Sequence, residues 1–268
     1  MGNAASVATT EPSALLRIET AGPVLSVGLN RPAKRNALND GIILALQDCF
    51  SDIPEGIGAV VIHGVGDHFS SGLDLSELTE HDATDGLRHS QMWHRVFDRI
   101  QYSRVPVIAA LRGAVIGGGL ELACAAHIRV AEPSAYFALP EGQRGIFVGG
   151  GGSVRLPRLI GVARMTDMML TGRVYSATEG ASYGFAQYLT EKGNAYAKAM
   201  ELANQVAKNA PLTNFAVLQA LPMIAEANPQ TGLLMESLMA TVAQRQGGQA
   251  SDPRVSGPQD RKSEADLT

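Results

Sequence analysis

The chain has 268 residues, of which 45% are hydrophobic and 18% charged, with a formal net charge of −4 and a pI near 5.9. That balance describes a folded soluble chain, and its acidic surplus leaves out the basic stripe that a nucleic-acid surface needs. Aromatic residues make up 5%, too few for a base-stacking platform, and the two cysteines, Cys49 and Cys124, cannot form a disulfide framework or a cysteine-only zinc site.

Residues 1–12 (MGNAASVATTEP) lack the basic start and apolar centre of a secretory signal. Gly2 and Ser6 satisfy the loose myristoylation pattern, which a tail of small residues meets by chance; a disordered tail is expected. Residues 15–20 and 24–29 read as short strands divided by the Gly22-Pro23 turn. Asn39 then caps a helix with Ile42, Leu46 and Cys49/Phe50 on one face. Residues 59–62 and 107–111 are unbroken apolar runs, as in strands covered on both faces. The richest apolar stretch, 105–131, is interrupted by Arg112, Glu121, His127 and Arg129, and so falls short of the roughly 20 apolar residues of a membrane span. No membrane attachment is expected, and the location predicted is cytoplasmic.

Strands alternating with helical patterns predict an α/β core. Towards the end, Tyr196, Met200, Ala203 and Val206 mark a helix that stops before Pro211. Leu212, Phe215, Leu218, Leu221 and Ile224 share a face of a second, and residues 231–246 form a third. The expected organisation is a tail over 1–12, a core over 13–192, a helical region over 193–246 and a polar tail over 247–268.

The densest chemical signal is residues 113–126, GAVIGGGLELACAA. Gly117, Gly118 and Gly119 enter an apolar helix whose first N–H groups are unpaired and lie at the positive end of the helix dipole. The Gly118 N–H is a candidate oxyanion donor; a tight turn with close packing explains the glycines equally well. Glu121 follows among apolar neighbours, where a carboxylate costs several kcal/mol unless it is paired or protonated. An ion pair with Arg112 or Arg144 is the plain alternative to a catalytic role. Glu141 ends a strand in AYFALPEGQRG, the kind of place where α/β folds put reactive groups. Two carboxyls in one cavity have pKa values pushed apart and supply an acid and a base. The segment FSSGLDL (69–75) offers the Leu73 N–H as a second donor. Gly149 and Gly150 belong to a run of four glycines that opens another helix, with no Walker lysine after it. Trp93 could line an acyl pocket, although core packing is the simpler reading. The six histidines are scattered, and no metal site is expected.

The segments NRPAKRNALN (30–39), FSSGLDL (69–75), GAVIGGGLELA (113–123) and ALPEGQRGIFVGGGGS (138–153) occur in this order and spacing in the enoyl-CoA hydratase, or crotonase, family, which the chain resembles from about residue 15 to 243. The resemblance implies an α/β spiral of ββα units, related to that of ClpP, with a C-terminal helical trimerisation region, and trimers or paired trimers. It implies an acyl-CoA thioester substrate, no separate cofactor, and an oxyanion held by the N–H groups of Leu73 and Gly118. Hydratases of the family carry Glu at both positions found here. Glu121 is then expected to orient and deprotonate water, and Glu141 to exchange a proton with the α-carbon, though the division could be shared or reversed. CoA contacts are expected from Lys34, Arg35, Ala37, Leu38, Ser71, Gly72, Asp74 and Leu75, with Lys34 or Arg35 as the charge partner. The last residues depart from the family's usual basic ending; Arg261 or Lys262 is a weak substitute. Val148 stands where a proline is common. A binding protein on this fold, for RNA or a partner chain, is the remote alternative.

Overall fold

The structure is a computed structural model that describes residues 15–77 and 82–250. The chain opens with β1 (Leu16–Ala21) and β2 (Val24–Leu29), an antiparallel hairpin turned at Gly22, whose φ of +58° suits a glycine. Helix α1 (Asp40–Ser51) starts at Asn39, whose side chain accepts the Ile42 N–H at 3.1 Å, and buries Ile42, Ile43, Leu46 and Phe50. Strand β3 (Ala59–Gly64) leads through the 69–75 loop to α2 (Ala83–Gln101), capped by Asp82. Then come β4 (Val107–Leu111), β5 (Ala114–Ile116), α3 (Gly118–Ala125), β6 (Ile128–Ala131) and β7 (Tyr136–Ala138). Helices α4 (Gly152–Ile160) and α5 (Val162–Thr171) precede β8 (Tyr175–Ser176), α6 (Ala177–Tyr183), β9 (Tyr188–Leu189) and α7 (Ala195–Val206).

Six strands form one sheet in the order β1-β2-β3-β4-β6-β9, parallel after the first hairpin. A second sheet joins β5 to β7 in parallel and β7 to β8 antiparallel. Every residue of β4 and of α3 is buried; β4 is a continuous apolar run, and α3 is one apart from Glu121. This arrangement sends β5 directly into the glycine-led start of α3 and sends β7 to Glu141.

The expected boundary at residue 193 moves. Ala195, Ala199, Leu202 and Ala203 of α7 pack on Val24, Ala59, Val61, Ile108 and Val130 of the large sheet. The first compact unit therefore runs to Lys208, and the second begins at Asn209. Within the second unit, the single helix expected through Leu212 and Ile224 is present and uninterrupted over residues 211–226, as α8 (Pro211–Phe215), a π-helical turn (Ala216–Ala220) and α9 (Leu221–Glu226). Pro222 supplies no amide to the ladder, and the widened turn accommodates it. The last helix, α10 (Pro229–Ala250), is longer at both ends than the 231–246 expected. The 1–12 tail, most of the 247–268 tail, Arg261 and Lys262 lie outside the described residues.

Candidate active site

Four chain segments converge on one cavity: the 69–75 loop, α3, α2 and residues 141–150. The 69–75 loop is pinned by short main-chain pairings. The Leu38 N–H donates to Gly72 O at 2.7 Å, and the Asp74 N–H donates to Leu38 O at 2.8 Å. Leu73 sits between these two bonds, and no acceptor among the described residues takes its N–H. The second segment is the start of α3, where Gly117 has φ +52°. A Cβ at Gly118 would stand 2.8 Å from Cζ3 of Trp93 and 3.6 Å from the Leu73 nitrogen, while one at Gly119 would meet Ser70 Cβ and O at 2.7 Å. The glycine run is thus both a close-packed turn and an opening to a ligand. The Leu73 and Gly118 N–H groups lie side by side at its mouth.

Glu121 faces the cavity one helical turn on, 4% exposed. Its partners are neither Arg112 nor Arg144. Its Oε1 accepts the Gly150 N–H at 2.9 Å and the Gly152 N–H at 2.7 Å. Burial raises its pKa above the usual carboxylate value, and the two amides and the nearby Arg155 guanidinium oppose that rise. Glu141, 7% exposed, follows β7, and its Oε1 lies 2.8 Å from where a Gly117 Cβ would be. Burial, reinforced by the Glu121 charge, raises its pKa to about 7. Its Oε2 is buried without a hydrogen-bond partner among the described residues.

The cavity is about 380 Å³. It brings together Leu73, Trp93, Gly118, Glu121 and Glu141, with Gly149 and Gly150 at one wall. Trp93 therefore does two jobs, packing against Phe97 and walling the cavity. Val148 is also a lining residue, which gives its departure from proline a direct bearing on pocket shape. Sequence reasoning missed His89 and Ser90 on α2, together with Ile146 and Phe147. His89 donates its Nε2–H to Asp40 Oδ1 at 2.8 Å, and Ser90 Oγ donates to Gly149 O at 2.7 Å. The period of α2 would have placed His89 and Ser90 near Trp93, but nothing local says which face meets a cavity.

The expected CoA residues divide. Ser71, Gly72 and Leu75 border a small recess beside Leu73 and Gly118. Lys34 Nζ is held by Asp74 Oδ2 and Ser76 Oγ, each at 3.0 Å, and Arg31 also donates to Asp74 at 2.9 Å. These contacts, the Ser76 hydroxyl foremost, hold the Asp74 carboxyl well below its ordinary pKa. Arg35 is exposed, and its side chain has no partner among the described residues. Ala37 and Leu38 are buried, and Leu38 serves the loop through its main chain. Among the described residues, no group of three His, Cys, Asp or Glu is placed to hold a metal, and no helix is long and apolar enough to cross a membrane.

Residues 19–249 match the family model described as enoyl-CoA hydratase/isomerase. The chain belongs to that family. The short-chain-enoyl-CoA hydratase of Clostridium acetobutylicum is 32% identical over 82% of this chain and 85% of its own length. The 2,3-dehydroadipyl-CoA hydratase of Escherichia coli is 34% identical over 82% and 86%. A solved structure from Rhodopseudomonas palustris, named "putative enoyl-CoA hydratase", shares 76% identity over 94% of both chains, with a TM-score of 0.86. The α/β architecture is the crotonase fold, and the protein is an enzyme of the hydro-lyase type.

Proposed function

We propose that the protein adds water across the α,β-double bond of a short enoyl-CoA thioester. One observation carries this reading: two buried carboxyls and two N–H groups with no acceptor among the described residues share a cavity of about 380 Å³. The N–H groups of Leu73 and Gly118 take the thioester oxygen, which becomes anionic as the enolate forms. Glu121, gripped at Oε1, keeps its carboxylate oriented and accepts a proton from water. The hydroxyl oxygen bonds to the β-carbon, and the double-bond electrons move to the thioester. Glu141 then delivers its proton to the α-carbon. Of the two, Glu141 is the better proton carrier, because no N–H holds its Oε2 as an anion. CoA is part of the substrate and no separate cofactor is required. Arg35, and Lys34 if it exchanges Asp74 for a phosphate, are the basic groups for the nucleotide end.

The acyl group proposed is 3-(methylthio)acryloyl. The paired Glu positions, the chain length and the glycine-rich segment resemble the bacterial methylthioacryloyl-CoA hydratase of dimethylsulfoniopropionate degradation. Water then adds to the carbon bearing sulfur, and the hemithioacetal releases methanethiol. Hydrolysis of the thioester frees CoA, and decarboxylation leaves acetaldehyde. A generic short-chain hydratase is the alternative, favoured by the Clostridium acetobutylicum relative. Purified protein given crotonyl-CoA and methylthioacryloyl-CoA separates the two, with enoyl-thioester absorbance and free thiol followed together. Thiol release from the sulfur substrate supports the specific reading. Hydration of crotonyl-CoA without thiol release from either leaves the generic one, and inactivity on both overturns hydration.

A further inference from the structure

Glu121 is held by a strap whose other end is fastened to α2. The strap is the glycine turn before α4. Its Gly150 and Gly152 N–H groups donate to Glu121 Oε1 at 2.9 and 2.7 Å. A Cβ at Gly152 would lie 2.8 Å from Glu121 Cγ, so the turn is pressed against the carboxylate. Arg155, one turn into α4 and 7% exposed, ties this strap down. Its Nη1 donates to Gly150 O at 3.0 Å, its Nε to Gln101 Oε1 at 2.6 Å and its Nη2 to Asp98 Oδ1 at 2.5 Å. Gln101 and Asp98 both lie on the last turn of α2, and Ser90 of the same helix holds the neighbouring Gly149 O at 2.7 Å. Three directed bonds from one planar guanidinium are a geometry that an ammonium cannot copy.

From this geometry we propose that Arg155 is a positioning residue for the hydration step. It fixes the Gly150–Gly152 amides against Glu121, supplies a buried cation that opposes the rise burial imposes on the Glu121 pKa, and couples the base to α2, the helix that carries Trp93. It is not among the residues that line the cavity. The titratable or charged groups around Glu121 among the described residues are Glu141 across the cavity, Cys124 on α3, His89 and His94 on α2, and Arg155 on α4. Arg155 is the fixed cation of this set.

The proposal rests on the reading of Glu121 as the base, so its test has one readout that needs no turnover. Arg155→Met, Arg155→Lys and Asp98→Ala would be compared with the parent by crotonyl-CoA kinetics across pH. In parallel, NMR of ¹³C-carboxyl glutamate, with Glu121→Gln assigning the signal, would follow Glu121 alone. For Arg155→Met we expect kcat to fall at least tenfold with KM within twofold. The acidic limb of kcat/KM and the Glu121 titration should both move to higher pH. Arg155→Lys should keep the limb in place while losing part of kcat, because it retains charge without the fork. Asp98→Ala, at a half-exposed position, should lower kcat several-fold and decides the matter if Arg155→Met does not fold. An unmoved Glu121 titration in folded Arg155→Met, or a loss confined to KM, overturns the proposal. Absence of turnover of both crotonyl-CoA and methylthioacryloyl-CoA in the parent would instead count against the hydratase reading, with the NMR titration still deciding the role of Arg155.

Discussion

At the scale of single residues, the two carboxyls are alike in burial and unlike in what holds them. Glu121 has two amide donors on one oxygen, whereas Glu141 has a buried oxygen with no donor among the described residues. Replacing either by Ala should lower kcat by at least about 100-fold, the scale of lost acid–base catalysis, with circular dichroism checking that each variant folds. Near-parental turnover from a folded variant would remove that residue from the mechanism. The Glu141 proton also has a stability signature. Its pKa is raised from 4.5 to about 7 in the folded chain. Between those values the folded state binds more protons than the unfolded one, so stability falls as pH rises through this window. Thermal melts from pH 5 to 8 should show the parent losing more stability than Glu141→Gln. Hydration, which consumes the Glu141 proton, should show an alkaline limb in kcat/KM with a midpoint near 7. Glu121 was legible in the sequence because a charge among apolar neighbours is costly, and Glu141 because it ends a strand, where α/β folds put reactive groups. The partners of Glu121 were not. Backbone amides carry no sequence signal, and Gly150 and Gly152 stand about 30 positions away from it.

Among the elements, α3 does most to assemble the site. A Cβ at Gly118 would press on Trp93 and narrow the space beside the Leu73 nitrogen. Gly118→Ala keeps its N–H but displaces it, and should therefore lower kcat by up to about 10²–10³, the scale of a lost oxyanion donor, measured on crotonyl-CoA with KM determined alongside. Unchanged kcat would place the oxyanion elsewhere. At the start of α1, Asn39→Ala removes the acceptor for the Ile42 N–H. It should destabilise the fold by about 1 kcal/mol, read by urea titration, with little change in kcat. The hairpin, α1, β3 and β4 could be read from period and punctuation because their burial patterns are local. The second C-terminal helix was legible from its apolar face of helical spacing, while the π-helical turn before Pro222 was not. Where α7 packs was not legible: it is amphipathic either way, and only tertiary packing shows that its apolar face covers the large sheet.

For the molecule as a whole, the second compact unit bears Leu221, Met223, Leu233, Leu234 and Leu238 with 55% or more of each side chain exposed. Surfaces of that kind mark association sites in soluble proteins. The family resemblance gives the occupant as further copies of this chain. The purified protein should sediment as a trimer or a pair of trimers, and Leu234→Lys with Leu238→Lys should shift it to smaller species. A parent that sediments as a monomer at micromolar concentration would overturn that expectation. The acidic composition and few aromatics already argued against a nucleic-acid role, and the site assembled inside the first unit gives the chain a different one.

The three glycines opening α3 are restrained by three separate neighbours: the Glu141 carboxylate, the Trp93 ring and the Ser70 main chain. In descent, these adjacent codons are not equally free. Position 118 gains room for a methyl group only in company with a smaller side chain at 93. Position 119 is opposed by a backbone oxygen, which no single exchange elsewhere removes. Position 117 carries a left-handed φ besides its carboxylate neighbour, so relief of the contact alone leaves the backbone strained. Drift through this tripeptide is therefore closed to single steps, and lineages that have altered it are expected to record the change at a second, distant position.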